Sequence, residues 1–245
     1  MLTPNRELKR MAWNSLRGNW GNAMLTLIVF LLISYASIII PFGTILIGAP
    51  LSIGLVLYFL RLSRGQEVRT GLIFKPFNFY GNSLLAWFLK TIIILLAAAP
   101  LIIALVIYIF SFDLYDNFDP TNAGRIFSLT IILLILYILP LFVMIRLALV
   151  YYIVADYNNL AADRAISISW KAMKGKEWKL LGLYLSFIGW FLLGIITLGI
   201  AYLWAVPYLD TSLANFYNDI KQNDDIDLIV ANYLHTEEQP PVIEA

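Results

Sequence analysis

DRAISISWKAMKGKEWKLLGLYLSFIGWFLLGIITLGIAYLWAVPYLDTSLANFY, residues 163–217, decides the architecture. It opens on a short helix with Lys171 and Lys174 near its end and turns at Gly175. Glycine behind a basic last turn is a helix C-terminus. Beyond it runs an apolar stretch in which Asp210 is the only charge between Lys179 and Asp219. That stretch is too long for one crossing of a hydrocarbon core about 30 Å thick. It predicts a hairpin of two spans, residues 180–196 and 198–220.

The same arithmetic applies at the other end of the chain. Between Arg17 and Arg61 lie 43 residues without a charge. As helix they would extend about 65 Å, roughly twice the core. They predict spans over 23–40 and 44–60, with PFG at 41–43 as the turn and a bend at Pro50. Residues 84–110, carrying Lys90 and Pro100, and 126–152, carrying Pro140 and Arg146, complete six transmembrane helices in three hairpins. Continuous apolar runs, rather than alternating segments of about ten residues, exclude a membrane barrel. The fold class is all-α: one polytopic membrane domain over residues 1–220, then an acidic tail, 221–245, that its composition marks as mobile.

Composition agrees. A chain with 60% hydrophobic and 13% charged residues and a mean hydropathy of +0.78 is too apolar for a soluble domain. No basic tract is dense enough for nucleic acid. There is no cysteine, so disulfides and thiolate sites are excluded. The first apolar run is too long for a cleavable signal and no A-x-A-like site follows it.

Basic residues orient the chain. Arg6, Lys9, Arg10 and Arg17, then Arg61, Arg64, Arg69 and Lys75, then Arg164, Lys171, Lys174, Lys176 and Lys179 all fall on one side of a six-span arrangement. The positive-inside rule puts that side, and both termini, in the cytoplasm.

Two short helices precede hairpins on that side. In the first, Thr3 is the expected N-cap and Leu8, Met11, Ala12 and Leu16 the expected inner face. Its cations could meet anionic lipid, or the helix could pack under the bundle. In the second, Asn158 or Asn159 is the expected cap and Ile166, Trp170 and Met173 the inner face. Arg6, Lys9, Arg10, Arg17, Lys171 and Lys174 are the candidate membrane-surface contacts. GLIFKPFNFYGN, residues 71–82, suits an interfacial elbow with belt aromatics.

The ends of the chain also resemble each other. Trp13, Leu16, Arg17 and Gly18 are answered by Trp170, Met173, Lys174 and Gly175, and Pro50 and Phe59 by Pro207 and Phe216, every pair 157 positions apart. Both units start on the same side, so a symmetry axis would run along the membrane normal. The middle hairpin shares only Pro140.

Ionisable residues at membrane depth are costly and usually paired. Lys90 and Arg146 can snorkel, whereas Asp210 has less reach, so its expected partner is Arg146 and, after that, Lys90. Thr211, Asn215 and Asn218 continue a polar stripe from Asp210. The stripe reads either as a substrate or ion path or as a structural ion pair with interhelical hydrogen bonds. Asp113, Asp116 and Asp119 recur every third residue, whereas a calcium loop alternates every second, so a solvated acidic loop is the better reading.

ADRAISISWKAMKGKEWKLL, LSFIGWFLLGIITLGIAYLW and VPYLDTSLANFY, together with the N-terminal RELKRMAWNSLRGNWGNA, resemble the bacterial membrane family called domain of unknown function 975, as far as about Ile220. Ser186, Phe187, Gly189, Trp190, Pro207, Tyr208, Phe216 and Tyr217 occupy family-like positions. The resemblance implies a polytopic bacterial plasma-membrane protein with no established activity.

Enzyme chemistry lacks its parts. An intramembrane enzyme needs a nucleophile with a base, a metal cluster or paired carboxylates. Here the single histidine, His235, lies in the tail, no G-x-S-x-G occurs, and the acidic residues are scattered. No cofactor is expected. The leading reading is a non-enzymatic scaffold or envelope-associated factor whose partners are membrane lipids, another membrane protein or a second copy of itself. The alternative is a small transporter or channel with a polar path around Asp210.

Overall fold

The computed structural model describes residues 2–113, 122–223 and 226–238. Helix α1 is Asn5–Leu16, α2 Trp20–Ser37, α3 Gly43–Leu46 and α4 Gly48–Ser63. A 3₁₀ segment, Thr70–Phe79, leads into α5, Tyr80–Asp113. Then come α6 Asn122–Arg146, α7 Val150–Asp156, α8 Ala162–Ala172, α9 Glu177–Leu185, α10 Ile188–Ile196, α11 Tyr202–Asn223 and α12 Ile226–Glu238. No strand occurs among the described residues, so the protein is all-helical.

Five helical stretches among the described residues are long and apolar enough to cross a membrane: Trp20–Ser37, Gly43–Ser63, Thr70–Ile107, Thr130–Asp156 and Glu177–Ile196. The sequence predicts six. The expected sixth, α11, has 22 residues, but Asp210, Thr211, Ser212, Asn215, Asn218 and Asp219 make it too polar from Asp210 onward to join them.

Helices α4 and α11 form the centre. α4 packs on the 3₁₀ segment, α11, α7 and α5, and α11 packs on α1, α4, α2 and α10. Leu51, Ile53, Tyr58, Phe59 and Leu60 of α4 and Phe216, Tyr217 and Ile220 of α11 are buried. Closeness has a backbone requirement at Gly54, where a Cβ would collide with the carbonyl of Ile73 in the 3₁₀ segment. Outside this centre, leucines and isoleucines of α5 and α6 lie open, as a lipid-facing surface requires.

Several spans are broken where the sequence reads as continuous. The helix before Pro50 ends at Leu46, and Pro50 then falls in the first turn of α4, where its missing N–H and fixed φ suit a helix start. The predicted mid-span bend is therefore a helix start. The fourth expected span divides at 147–149 into α6 and α7, and the Ser169 hydroxyl donates to the Arg146 carbonyl at the end of α6, 2.9 Å away. The fifth divides at 186–187, where Phe187 N–H bonds Tyr184 at 3.0 Å in a 3₁₀ pattern and its ring is fully buried.

The short helices differ in detail from their expected faces. Thr3 does not cap α1; Pro4 holds that position. Leu8, Ala12 and Leu16 are buried, but Met11 is 43% exposed, because α1 turns a narrower stripe toward α11 and α4. In α8 the cap position is Ala161, and Ala162, Ala165, Ile168, Ser169 and Ala172 face inward. Trp170, expected inside, is 38% exposed, whereas Met173 is buried as expected. Gly18 and Gly175, with φ of 86° and 78°, both terminate in the left-handed conformation that glycine adopts without cost. Where a mobile tail is expected, Ile226–Glu238 forms α12, which buries Ile226 and Val230 and packs on α8 and α11. Asp116, Asp119 and the last seven residues, 239–245, lie outside the described residues.

Candidate functional site

Polar residues of α11 organise the candidate site. Thr211, Asn215 and Asn218 share one helix face at spacings of four and three. The Thr211 hydroxyl donates to the Pro207 carbonyl at 2.7 Å, within its own helix. Asn215 donates across to the Leu8 carbonyl of α1 at 3.2 Å. Asn218 donates to the Ser63 hydroxyl at 2.9 Å and accepts from Arg64 Nε at 3.0 Å, which ties α11 to the end of α4. Buried polar groups need such partners, and here the partners are neighbouring helices.

Asp210 lies beside this face, half-buried. Tyr152 of α7 and Tyr184 of α9 are near enough to feel its charge. No ion pair among the described residues involves Asp210. The expected Asp210–Arg146 pair does not form, because Arg146 closes α6 next to the start of α9. There it bridges Glu177 at 2.8 Å, donates to the Trp170 carbonyl at 2.9 Å and stacks near Phe142 and Trp170. Lys90, the second choice, lies 3.9 Å from the centroid of the Tyr151 ring, a cation–π contact. The structure thus gathers Thr211 and Asn215 into helix packing and keeps Asp210, Arg146 and Lys90 in separate settings.

A larger charged cluster joins four elements at the ends of α4, α7 and α11. Asp156 takes a two-pronged bond from Arg64, at 2.7 and 2.8 Å, with further bonds from Lys221 at 2.8 Å and Tyr217 at 3.1 Å. Two parallel bonds from one guanidinium are among the stronger polar contacts. Lys221 also bridges Asp227 of α12 at 3.0 Å, and the Tyr157 hydroxyl donates to Asp227. Burial works against the charge on Arg64, yet the Asp156 carboxylate overrides it and holds the guanidinium above its ordinary value. Lys221 follows the same logic: burial lowers it, and bonds to Asp156, Tyr157 and Asp227 more than reverse that. Tyr157 is pushed up by burial and then by Asp227. Asp227, despite some burial, is pulled down by Tyr157 and Lys221. Sequence reasoning missed this cluster. Arg64 reads there only as a topology marker, and no local pattern links it to Asp156 across 92 positions.

The surface cations divide into two groups. Arg17, Lys171 and Lys174 are exposed at helix ends. Arg6, Lys9 and Arg10, with Glu7 and Trp13 of α1 and Tyr208 of α11, line an open pocket of about 650 Å³. Its aromatic wall is continuous: Trp13 meets Tyr208 edge-on at 5.6 Å and Trp20 at 5.3 Å, and Tyr208 meets Phe187 at 5.0 Å and Trp190 at 6.2 Å. A signal for this site was available, since Arg6, Lys9, Arg10 and Trp13 recur at the helical spacing of one stripe. Tyr208 was not, because only the packing of α11 on α1 places it there.

One family model matches the chain, over residues 1–224, and its description is protein of unknown function (DUF975). No curated protein and no solved structure matches it.

Proposed function

Because the chain belongs to the DUF975 family, whose function is unknown, we propose from its own geometry that it is a non-enzymatic plasma-membrane protein acting through lipid and protein contacts, as a scaffold or envelope-associated factor. One observation carries this reading: Thr211, Asn215 and Asn218 use their hydrogen bonds within α11 and on α1 and α4. A transport path would leave such groups open to water or substrate.

The proposal includes six crossings, with residues 198–220 as the sixth, and both termini in the cytoplasm. The distribution of basic residues supports it, since a sixth crossing puts the three basic segments on one side. It also includes a repeat of the first and last units. In support, α1 starts at Asn5 and α8 at Ala162, α2 at Trp20 and α9 at Glu177, each pair 157 positions apart. Leu16 and Met173 are both fully buried, and so are Phe59 and Phe216.

The second reading is a small transporter, and one observation favours it: Asp210, a half-buried residue, has no ion pair among the described residues. The discriminating experiment is a flux assay on purified protein in liposomes, across anions, cations and small metabolites, beside Asp210→Asn. The scaffold reading expects no flux above protein-free liposomes. Flux by wild type that Asp210→Asn abolishes would replace it with the transporter.

A further inference from the structure

We propose that the pocket between α1 and Tyr208 binds the phosphodiester headgroup of one anionic phospholipid. The proposal rests on the lipid-contact reading above and sharpens it from a charged face to a built site.

The argument starts from charge. Arg6, Lys9 and Arg10 crowd within two turns of α1, an arrangement that repels itself on an isolated helix. Glu7 bridges Arg10 at 2.6 Å and is thereby occupied. Arg6 has no ion pair among the described residues, and the Lys9 ammonium faces the Phe187 ring at 5.4 Å rather than a carboxylate. The pocket therefore keeps an excess of positive charge that a singly charged phosphodiester complements.

The other side of the pocket supplies two free donors and, behind them, an apolar surface that a free anion would not use. Trp13 and Tyr208 form its wall, and neither the Trp13 indole N–H nor the Tyr208 hydroxyl bonds to another described residue. Both donors sit on amphipathic rings of the kind found at the headgroup level. From Tyr208 the aromatic contacts continue to Phe187 and Trp190 at the start of α10, and Trp204 lies exposed one turn earlier on α11. Cations at one end and an apolar aromatic slope at the other match an acylated phosphodiester. Inorganic phosphate would engage the cations and the two donors but leave the aromatic slope uncovered.

The test counts lipids retained by the full-length protein in detergent, by native mass spectrometry, after incubation with phosphatidylglycerol or phosphatidylcholine. Wild type is expected to retain phosphatidylglycerol preferentially. Arg6→Gln with Lys9→Gln should weaken retention by about fivefold for each cation removed. Tyr208→Phe should weaken it with the fold intact, and Lys171→Gln with Lys174→Gln should leave it unchanged. Circular dichroism and melting temperature check folding, and Tyr208→Phe keeps the test open if the charge variant misfolds. Equal retention of the two lipids would overturn the proposal, as would loss in the Lys171/Lys174 variant or unaltered retention in both pocket variants. Displacement of phosphatidylglycerol by dilute inorganic phosphate would reassign the site to a free anion. Failure here leaves the scaffold reading standing, whereas Asp210-dependent flux would remove that reading and leave lipid retention untouched.

Discussion

Thr3 holds both oxygens of the Asp219 carboxylate, its backbone N–H on one and its hydroxyl on the other, each at 2.8 Å, across 216 positions of sequence. Lys179 completes the site at 3.1 Å. With Asn215 on Leu8 and Trp13 against Tyr208, the contact fixes α1 antiparallel along α11 from Asp219 back to Tyr208.

Removing Asp219 should therefore release α1 first. Asp219→Ala removes a nearly buried carboxylate together with both Thr3 hydrogen bonds and the Lys179 ion pair, a loss of about 2–3 kcal/mol. Hydrogen exchange is the measurement: α1 amides should lose protection while those of α4 keep it. Equal loss across both helices would show that Asp219 supports the whole fold rather than the α1 contact.

The cluster at Asp156 predicts a pH dependence with a definite sign. Asp227, held below its ordinary carboxylate value, contributes stability at higher pH that is lost as pH falls through its folded value. Lys221 and Tyr157, both held above their ordinary values, contribute at lower pH and lose that contribution as pH rises through their folded values. The melting temperature should be flat from about pH 5 to about pH 9 and fall on either side. Lys221→Met should shrink the alkaline fall; an unchanged alkaline limb would refute the assignment. Asp156→Ala, which leaves Arg64 and Lys221 facing each other without their shared carboxylate, should cost about 3 kcal/mol at neutral pH.

Gly54 should tolerate no side chain. A Cβ there meets the Ile73 backbone, which cannot swing aside as a side-chain end could. Gly54→Ala should destabilise by about 1–3 kcal/mol, read as a lowered melting temperature. Gly71→Ala, where a Cβ meets open space, serves as the control and should change little.

Arg146 and Glu177 should behave as a coupled pair. Their side chains are 12% and 17% exposed, so each single neutral variant, Arg146→Met or Glu177→Gln, leaves a poorly hydrated charge behind. The double variant should be more stable than the sum of the two losses predicts, by about 1 kcal/mol or more. Additive losses would mean that the bridge contributes nothing beyond the separate contacts of its two residues.

Much of the fold was legible because hydrophobic runs and helix stops are local properties. The charge-free 43 residues after Arg17, the stops at Gly18 and Gly175, and the inner positions Leu8 and Leu16 are readable without any partner. Pro50 misled because a proline inside an apolar run reads as a kink, and only the break at Ile47 turns it into a helix start. Arg146 misled for a related reason. Opposite charges in neighbouring apolar runs suggest a pair, but α6 ends where Glu177 is nearer than Asp210.

By itself the sequence determined that this chain is helical, apolar on a membrane scale and built from long charge-free stretches. Those properties follow from composition and spacing, since the cost of placing backbone and charge in hydrocarbon is charged residue by residue. The tertiary structure decided which polar group meets which. Thr3 with Asp219, Arg64 with Asp156 and Trp13 with Tyr208 lie far apart in the chain, and their partnership comes from how α1, α4, α7 and α11 pack. The same packing set the polar face of α11 against its neighbours and left the cations of α1 turned outward beside Tyr208.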